Sequence, residues 1–321
     1  MDTGKFDVVR FISRGSYTFV YEVVYTRGCD ENATTVTRAL KRFYLRNSSA
    51  VRCALRERRI LVRLARQERQ SPFLGTLIES CRIDGAPSFV LRKGSGLDLR
   101  DLVSSVGYLD ENDVRFYNSE IISGLEHLHA MHIVHLDVKP NNVLIADSAH
   151  ILLTDFDHAY DMSRETGPAK QTDFAGAPFL MASEIKHAKA ITSRADVWSL
   201  GVLVARIMYG HSTAQDWLLT RRFVTGRLPN VSAPLREFFK ACLTHDCNKR
   251  LSIDGVKRLE FYRDVSWKEV VACTLQPPYL PSDMEVSPAK KMCNINPFDP
   301  LLVAADDGCL RTIRDKYGGV G

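Results

Sequence analysis

His135-Leu136-Asp137-Val138-Lys139-Pro140-Asn141-Asn142, running straight into Val143-Leu144-Ile145, is the segment on which the reading of this chain turns. It puts a carboxylate (Asp137), a cation (Lys139) and an amide (Asn142) in one tight loop, followed by a short apolar strand. A second acid comes later, in Thr154-Asp155-Phe156-Asp157. Oxygen ligands of this kind suit a hard divalent cation, and a carboxylate held beside a lysine can take up a proton. Taken singly, Asp137 and Asp155 are equally at home as turn residues, which favour Asp for its local hydrogen bonds.

Upstream of this loop the pattern is mostly that of strands, over residues 5–92. Stretches 6–13 and 17–25 flank a turn at Arg14-Gly15-Ser16; 36–44, 74–83 and 88–91 are further strands, the last two joined at Asp84-Gly85. Between them, residues 51–65 have the apolar spacing of a helix, which carries Arg52, Arg56, Arg59, Arg63 and, just beyond, Arg66 on one face. Lys93-Gly94-Ser95-Gly96 reads as a flexible connector, and from Leu97 the pattern becomes helical. Asp110 and Asp113 predict an acidic capping box at the start of a long helix reaching Met131. Residues 193–209 predict a buried helix, and Pro277-Pro-Tyr-Leu-Pro281 ends the helical pattern ahead of an extended tail. The expected class is α+β, with a strand-rich lobe, a helix-rich lobe and a ligand cleft between them.

Composition narrows the alternatives. With 45% hydrophobic and 25% charged residues, the 321-residue chain has apolar material for one large or two medium domains. A net charge of +5 is too mild to imply a nucleic-acid or membrane partner. The arginine face of the first helix fits a solvated surface better than a nucleic-acid site, so nucleic acid is not an expected partner. Cys29, Cys53, Cys81, Cys242, Cys247, Cys273, Cys293 and Cys309 are scattered without a C-x-x-C pair. Ordinary thiols in a reducing, intracellular setting, cytoplasm or nucleus, are therefore expected. The spacing of Cys242-Leu-Thr-His-Asp-Cys247 fits no common zinc site. Met1-Asp-Thr-Gly-Lys5 starts no secretion signal, and no apolar run approaches the roughly 20 residues that span a bilayer.

In order and content these motifs resemble those of eukaryotic-type Ser/Thr protein kinases, nearest to the AGC group that includes the cyclic-nucleotide-dependent enzymes. The resemblance implies a kinase domain over 5–265. Its parts would be an N-lobe at 5–92 (a small antiparallel sheet with one main helix), a hinge at 92–96, a larger, mostly helical C-lobe at 97–265 and a C-terminal tail at 266–321. It implies ATP and Mg²⁺ as cofactors, transfer of the γ-phosphate to Ser or Thr of protein substrates, and a monomer with no membrane partner. Residue by residue, it makes Asp137 the base and Lys139 the cation that neutralises the transferred phosphate. Ile12, Gly15 and Val20 would cover the nucleotide, with Ser13 and Thr18 where glycines usually stand. Ala39 and Lys41 would meet the nucleotide and its phosphates, Glu57 would pair with Lys41, and Asn142 and Asp155 would hold the metal. His135 would pack beneath the metal-binding triplet, whereas His127, His129 and His132 are read as surface or packing residues. Glu184, closing Gly176-Ala-Pro-Phe-Leu-Met-Ala-Ser-Glu184, would pair with Arg250, and Asp196 would brace the catalytic loop. Gln276-Pro-Pro-Tyr-Leu-Pro281 and Asn296-Pro-Phe-Asp299 resemble the tail of the same group.

Two departures carry expectations of their own. Leu136 replaces the arginine that receives an activation-loop phosphate, so activity without that phosphorylation is expected, with Asp173 near the usual site. The same leucine resembles herpesvirus-type kinases and raises a viral origin and a host-cell setting. Asp157 replaces a glycine and is expected to stiffen its turn. For substrate choice, Asp98 matches one acid that selects basic substrates, while Asn141 and Arg206 stand where two others lie; a weakened taste for arginine is expected. Val138-Lys139 after the base fits Ser/Thr transfer better than Tyr transfer. The alternative reading is a pseudokinase, a nucleotide-binding scaffold without turnover. Lys41, Glu57, Asp137, Lys139, Asn142 and Asp155 are all present, which argues against it.

Overall fold

The computed structural model describes residues 6–27, 34–83, 85–164, 180–187, 190–225 and 231–285. Cys29, Asp84, Asp173, Gly176, Cys293, Cys309 and the Asn296–Asp299 motif lie outside them, as does the sequence before Phe6. The described chain divides into two compact units, one ending at Gln70 and resuming over Gly75–Gly96, the other formed by Ser71–Leu74 and Leu97–Glu285.

The first unit contains β1 (Phe6–Arg14), β2 (Thr18–Arg27), β3 (Thr34–Phe43), α1 (Ser48–Ala65), β4 (Leu77–Ile83) and β5 (Ala86–Leu91). The strands form one antiparallel sheet in the order β1-β2-β3-β5-β4. Alternation along β2 sends Phe19, Tyr21, Val23 and Tyr25 to one face, where they pack with Leu40, Tyr44, Ile83 and Val90. The helix starts earlier than its apolar spacing suggests. Asn47 accepts a hydrogen bond from the Ala50 amide at 2.9 Å, a cap that sets the first turn at Ser48. Leu74–Thr76, read as strand, precedes β4; Leu74 instead bridges Leu153.

The second unit opens with β6 (Leu97–Asp98), α2 (Leu99–Val106) and α3 (Glu111–Ala130). Then come β7 (Ile133–Val134), β8 (Val143–Ile145), β9 (Ile151–Leu153) and β10 (Tyr160–Asp161). The remaining helices are α4 (Ser183–Lys186), α5 (Arg194–Tyr209), α6 (His211–Leu219), α7 (Arg222–Thr225), α8 (Ala233–Cys242), α9 (Ile253–Lys257) and α10 (Trp267–Val271). At the start of α3, Asp110 Oδ1 accepts from the amides of Asn112 and Asp113 at 2.7 and 2.9 Å, as its acidic capping box predicts. The buried helix α5 comes so close to α8 that a Cβ on Gly201 would stand 2.8 Å from the Cys242 Cβ. Burial there pushes the Cys242 thiol up, away from the reactive thiolate. The described part of the tail follows α2 and α3: Tyr279 Oη donates to Asp113 Oδ2 at 2.9 Å, and the Glu285 amide donates to Ser105 Oγ at 2.8 Å. Among the described residues, no helix is long and apolar enough to cross a membrane.

Candidate active site

The loop from His135 to Asn142 is held from below by one carboxylate. Leu136 has φ = 63°, the left-handed region that a leucine enters only under restraint, at a cost of about 1–3 kcal/mol. The restraint is Asp196, in the first turn of α5 and fully buried. Its Oδ2 accepts from the His135 amide and its Oδ1 from the Leu136 amide, both at 2.8 Å. A third contact reaches Oδ2 from His129 Nε2 on α3, again at 2.8 Å. His129 is thus part of the brace.

On the working side of the loop, Asp137 Oδ2 accepts from Lys139 Nζ and from Asn142 Nδ2, each at 2.7 Å. Asn142 Nδ2 also donates to the Asp137 carbonyl at 2.9 Å. Its amide hydrogens are committed to Asp137, which leaves Oδ1 as the face it can offer to a cation. The β8–β9 hairpin, with Val143 opposite Leu153, brings Asn142 next to the strand that leads to Asp155. The Thr154 amide donates to the Asn142 carbonyl at 2.9 Å and fixes that register. Asp155 follows with φ = 70°, so the second acid also sits on restrained backbone. His135 lies fully buried against the Phe156 ring, with centroids 5.2 Å apart. Burial holds its pKa down, so the ring is neutral. The Asp137 amide donates to its Nδ1 at 3.3 Å, and the Nε2–H donates to the Thr154 carbonyl at 3.1 Å. His135 is therefore a fixed strut between the loop and residues 154–157.

In the first unit, Lys41 Nζ lies 2.8 and 2.7 Å from the two carboxylate oxygens of Glu57 on α1. Both side chains are almost fully buried. In register, Val20 stands opposite Lys41 and Ala39 opposite Leu91, so Val20, Ala39 and Lys41 share a face of the sheet. Ile12 falls at the bulge between Phe11 and Ser13, outside the regular pairing. At the tip of this hairpin the Gly15 amide donates to the Thr18 carbonyl at 2.8 Å. A Cβ on residue 15 would come within 2.6 Å of Thr18 Oγ1, so a larger residue there would make the threonine side chain shift. The Tyr44 hydroxyl points at the carbonyls of Gly15 and Ser16, at 3.0 and 2.5 Å. Ser13, Thr18 and this tyrosine make a turn that is pinned as well as poor in glycine. Nothing in the local sequence marks Tyr44, because its partners lie almost thirty residues back.

Other residues took places their sequence did not suggest. Asp98, which the resemblance matches to an acid that selects basic substrates, is buried: its Oδ1 accepts from the amides of Arg100 and Asp101 at 2.9 and 3.0 Å, capping α2. Asp101 returns the favour to the Asp98 amide at 3.0 Å, the same acidic spacing that marks α3. Asp157 and His158 gather with Asp137 so that one ligand atom from each lies within 4.8 Å of the others. The replaced glycine therefore adds a carboxylate next to the loop acid. Arg250 meets Glu184 as expected, through Nη1–Oε1 at 2.5 Å and Nη2–Oε2 at 3.0 Å, with both side chains sealed from solvent.

The chain thus carries a buried lysine–glutamate pair in its first unit and, in its second, a braced loop that gathers Asp137, Lys139 and Asn142, with Asp155 on restrained backbone after β9. Residues 6–262 match the protein kinase domain family, and the chain belongs to it. Among curated proteins it is 30% identical over 309 residues to beta-adrenergic receptor kinase 1 of Homo sapiens, covering 92% of this chain and 43% of that protein. It is 28% identical over 320 residues to ribosomal protein S6 kinase alpha-6 of Danio rerio, covering 94% and 40%. The chain thus spans less than half the length of these relatives. They lend no support to the viral origin that Leu136 suggested.

Proposed function

We propose that this chain is a Ser/Thr protein kinase that moves the γ-phosphate of ATP to hydroxyls of protein substrates. The observation that carries the reading is the ring formed by Asp137, Lys139 and Asn142, with both donors 2.7 Å from one carboxylate oxygen. Asp137 is the group that takes or orients the proton of the acceptor hydroxyl, and Lys139 offsets negative charge as it builds up beside it. Asn142 Oδ1 and the Asp155 carboxylate are the hard oxygen donors that suit Mg²⁺, which would supply charge neutralisation of the phosphates. Lys41, kept extended by Glu57, is the cation for the phosphates of the nucleotide. No member of this set is missing, so nothing favours the scaffold reading over turnover. Cysteines scattered along the sequence without a C-x-x-C pair fit a reducing compartment, cytoplasm or nucleus.

Lys41→Met should lower kcat/KM for ATP on the order of 10²-fold, the scale of losing one preorganised charge partner. Steady-state kinetics with Mg²⁺-ATP and a mixed Ser/Thr protein substrate would measure it, at a temperature where melting shows the variant folded. A value within threefold of native would take Lys41 out of the site.

Activity is also expected to be independent of activation-loop phosphorylation. Leu136 brings no charge with which to receive a phosphate, and its backbone is already set by Asp196. Protein treated with a broad phosphatase should keep its rate; loss of activity on treatment would refute this part of the reading.

A further inference from the structure

Beside the Asp137–Lys139 pair the second unit contains a cavity of about 130 Å³, room for a side chain rather than a single water. Leu180, Met181 and Val202 give it an apolar wall, and Arg206 closes it from α5. Ser199, Val202 and Arg206 recur at the spacing of one helix face, so the arginine is aimed into the space the catalytic carboxylate also lines.

The charges in this lining do not cancel. Lys139 sits 2.7 Å from Asp137, so those two compensate each other. Arg206 is half-buried, and among the described residues no carboxylate comes within ion-pair reach of it. The nearby acids at the head of α2 do not fill the gap: Asp98 and Asp101 are buried and cap each other's backbone. Arg100, exposed in the same turn, adds a second positive charge. Burial first, and the Arg100 charge second, pull the Arg206 pKa down from its ordinary value. A guanidinium still stays protonated, so an anion brought beside it would be stabilised.

We propose that Arg206, supported by Arg100, forms a subsite for an anionic side chain of the substrate, carboxylate or phosphate, a few residues from the acceptor hydroxyl. The inference rests on the kinase reading above and gives it a substrate class. Arg206 shares one cavity with Asp137, and an extended peptide advances about 3.3 Å per residue, so the anion belongs close to the acceptor in sequence. A planar five-donor guanidinium can hold either anion with two parallel hydrogen bonds.

The test is a peptide set built on one Ser acceptor, with Ala, Glu, Arg or phosphoserine placed in turn at each of the three positions on either side. For each protein the quantity read is kcat/KM relative to its own Ala peptide, so a general loss of activity cancels. Native protein should favour Glu over Ala by about tenfold at one position at least, or about 1.4 kcal/mol, and disfavour Arg there. Arg206→Glu should reverse that order and Arg206→Ala should flatten it. Arg100→Glu, at an exposed site, should weaken the preference even if the Arg206 variants fold poorly. Preference for phosphoserine alone would assign the subsite to phosphorylated substrates, and equal preference for Glu would assign it to acidic ones. A native preference for Arg, or an acidic preference unchanged in Arg206→Glu, overturns the subsite. If the Ala peptide is turned over in an Asp137-dependent way while acids have no effect, the subsite fails and the kinase reading stands. If no peptide or protein is phosphorylated by the native chain, both fall.

Discussion

Asp137→Asn is expected to lower kcat for phosphoryl transfer by about 10²–10⁴-fold, the usual contribution of a positioned general base. The replacement keeps the shape and an oxygen for the hydrogen bond from Asn142 Nδ2, now 2.7 Å away. It removes the charge that faces Lys139 and the basicity that draws a hydroxyl proton. The loop itself should hold, because its backbone hangs on Asp196 through the amides of His135 and Leu136 rather than on Asp137. Nucleotide affinity should therefore change little while turnover collapses. The comparison is between kcat from steady-state phosphorylation and Kd for Mg²⁺-ATP from equilibrium titration. A variant working within tenfold of the native rate would show that Asp137 is not the base.

Arg250→Met should destabilise the fold by about 3–5 kcal/mol, since it strands a buried carboxylate. Arg250 and Glu184 are both closed to solvent, and the arginine spreads its donors widely. Beyond Glu184, its Nε donates to the Thr244 carbonyl at 3.0 Å and its Nη1 to the Arg194 carbonyl at 2.8 Å. The guanidinium carbon also lies 5.2 Å from the centre of the Trp198 ring. Removing the cation leaves Glu184 and two carbonyls without these donors. Urea unfolding would report the loss as a lower midpoint at constant slope. Converting Glu184 to Gln in the same chain should recover part of it, because the stranded charge goes. A loss under 1 kcal/mol would mean the pair is not the internal clamp its burial indicates.

What could be read from sequence followed the reach of each interaction along the chain. Asp137, Lys139 and Asn142 fall inside one eight-residue loop, so spacing alone places them together. Asp110 and Asp113 act through amides two or three residues away, and their box was equally open to inspection. The same spacing at Asp98 and Asp101 makes a second acidic box, at the start of α2. His129 reaches Asp196 from 67 positions away and Tyr44 reaches Gly15 from 29, separations no local pattern records. The strands β7 and β10, of two residues each, are too short for alternation to declare itself. Asp157 was visible as a departure, but not that it and His158 would gather with Asp137.

The brace on Asp196 has one more consequence. Through these hydrogen bonds Asp196, buried in the first turn of α5, holds a leucine in a costly backbone state from a place that solvent does not reach. The working shape of the loop is then inherited from packing and complete once this unit has folded. On the kinase reading, the shape of this loop would need no phosphate to set it. Inherited variation at Asp196 would disturb the loop as surely as variation within it.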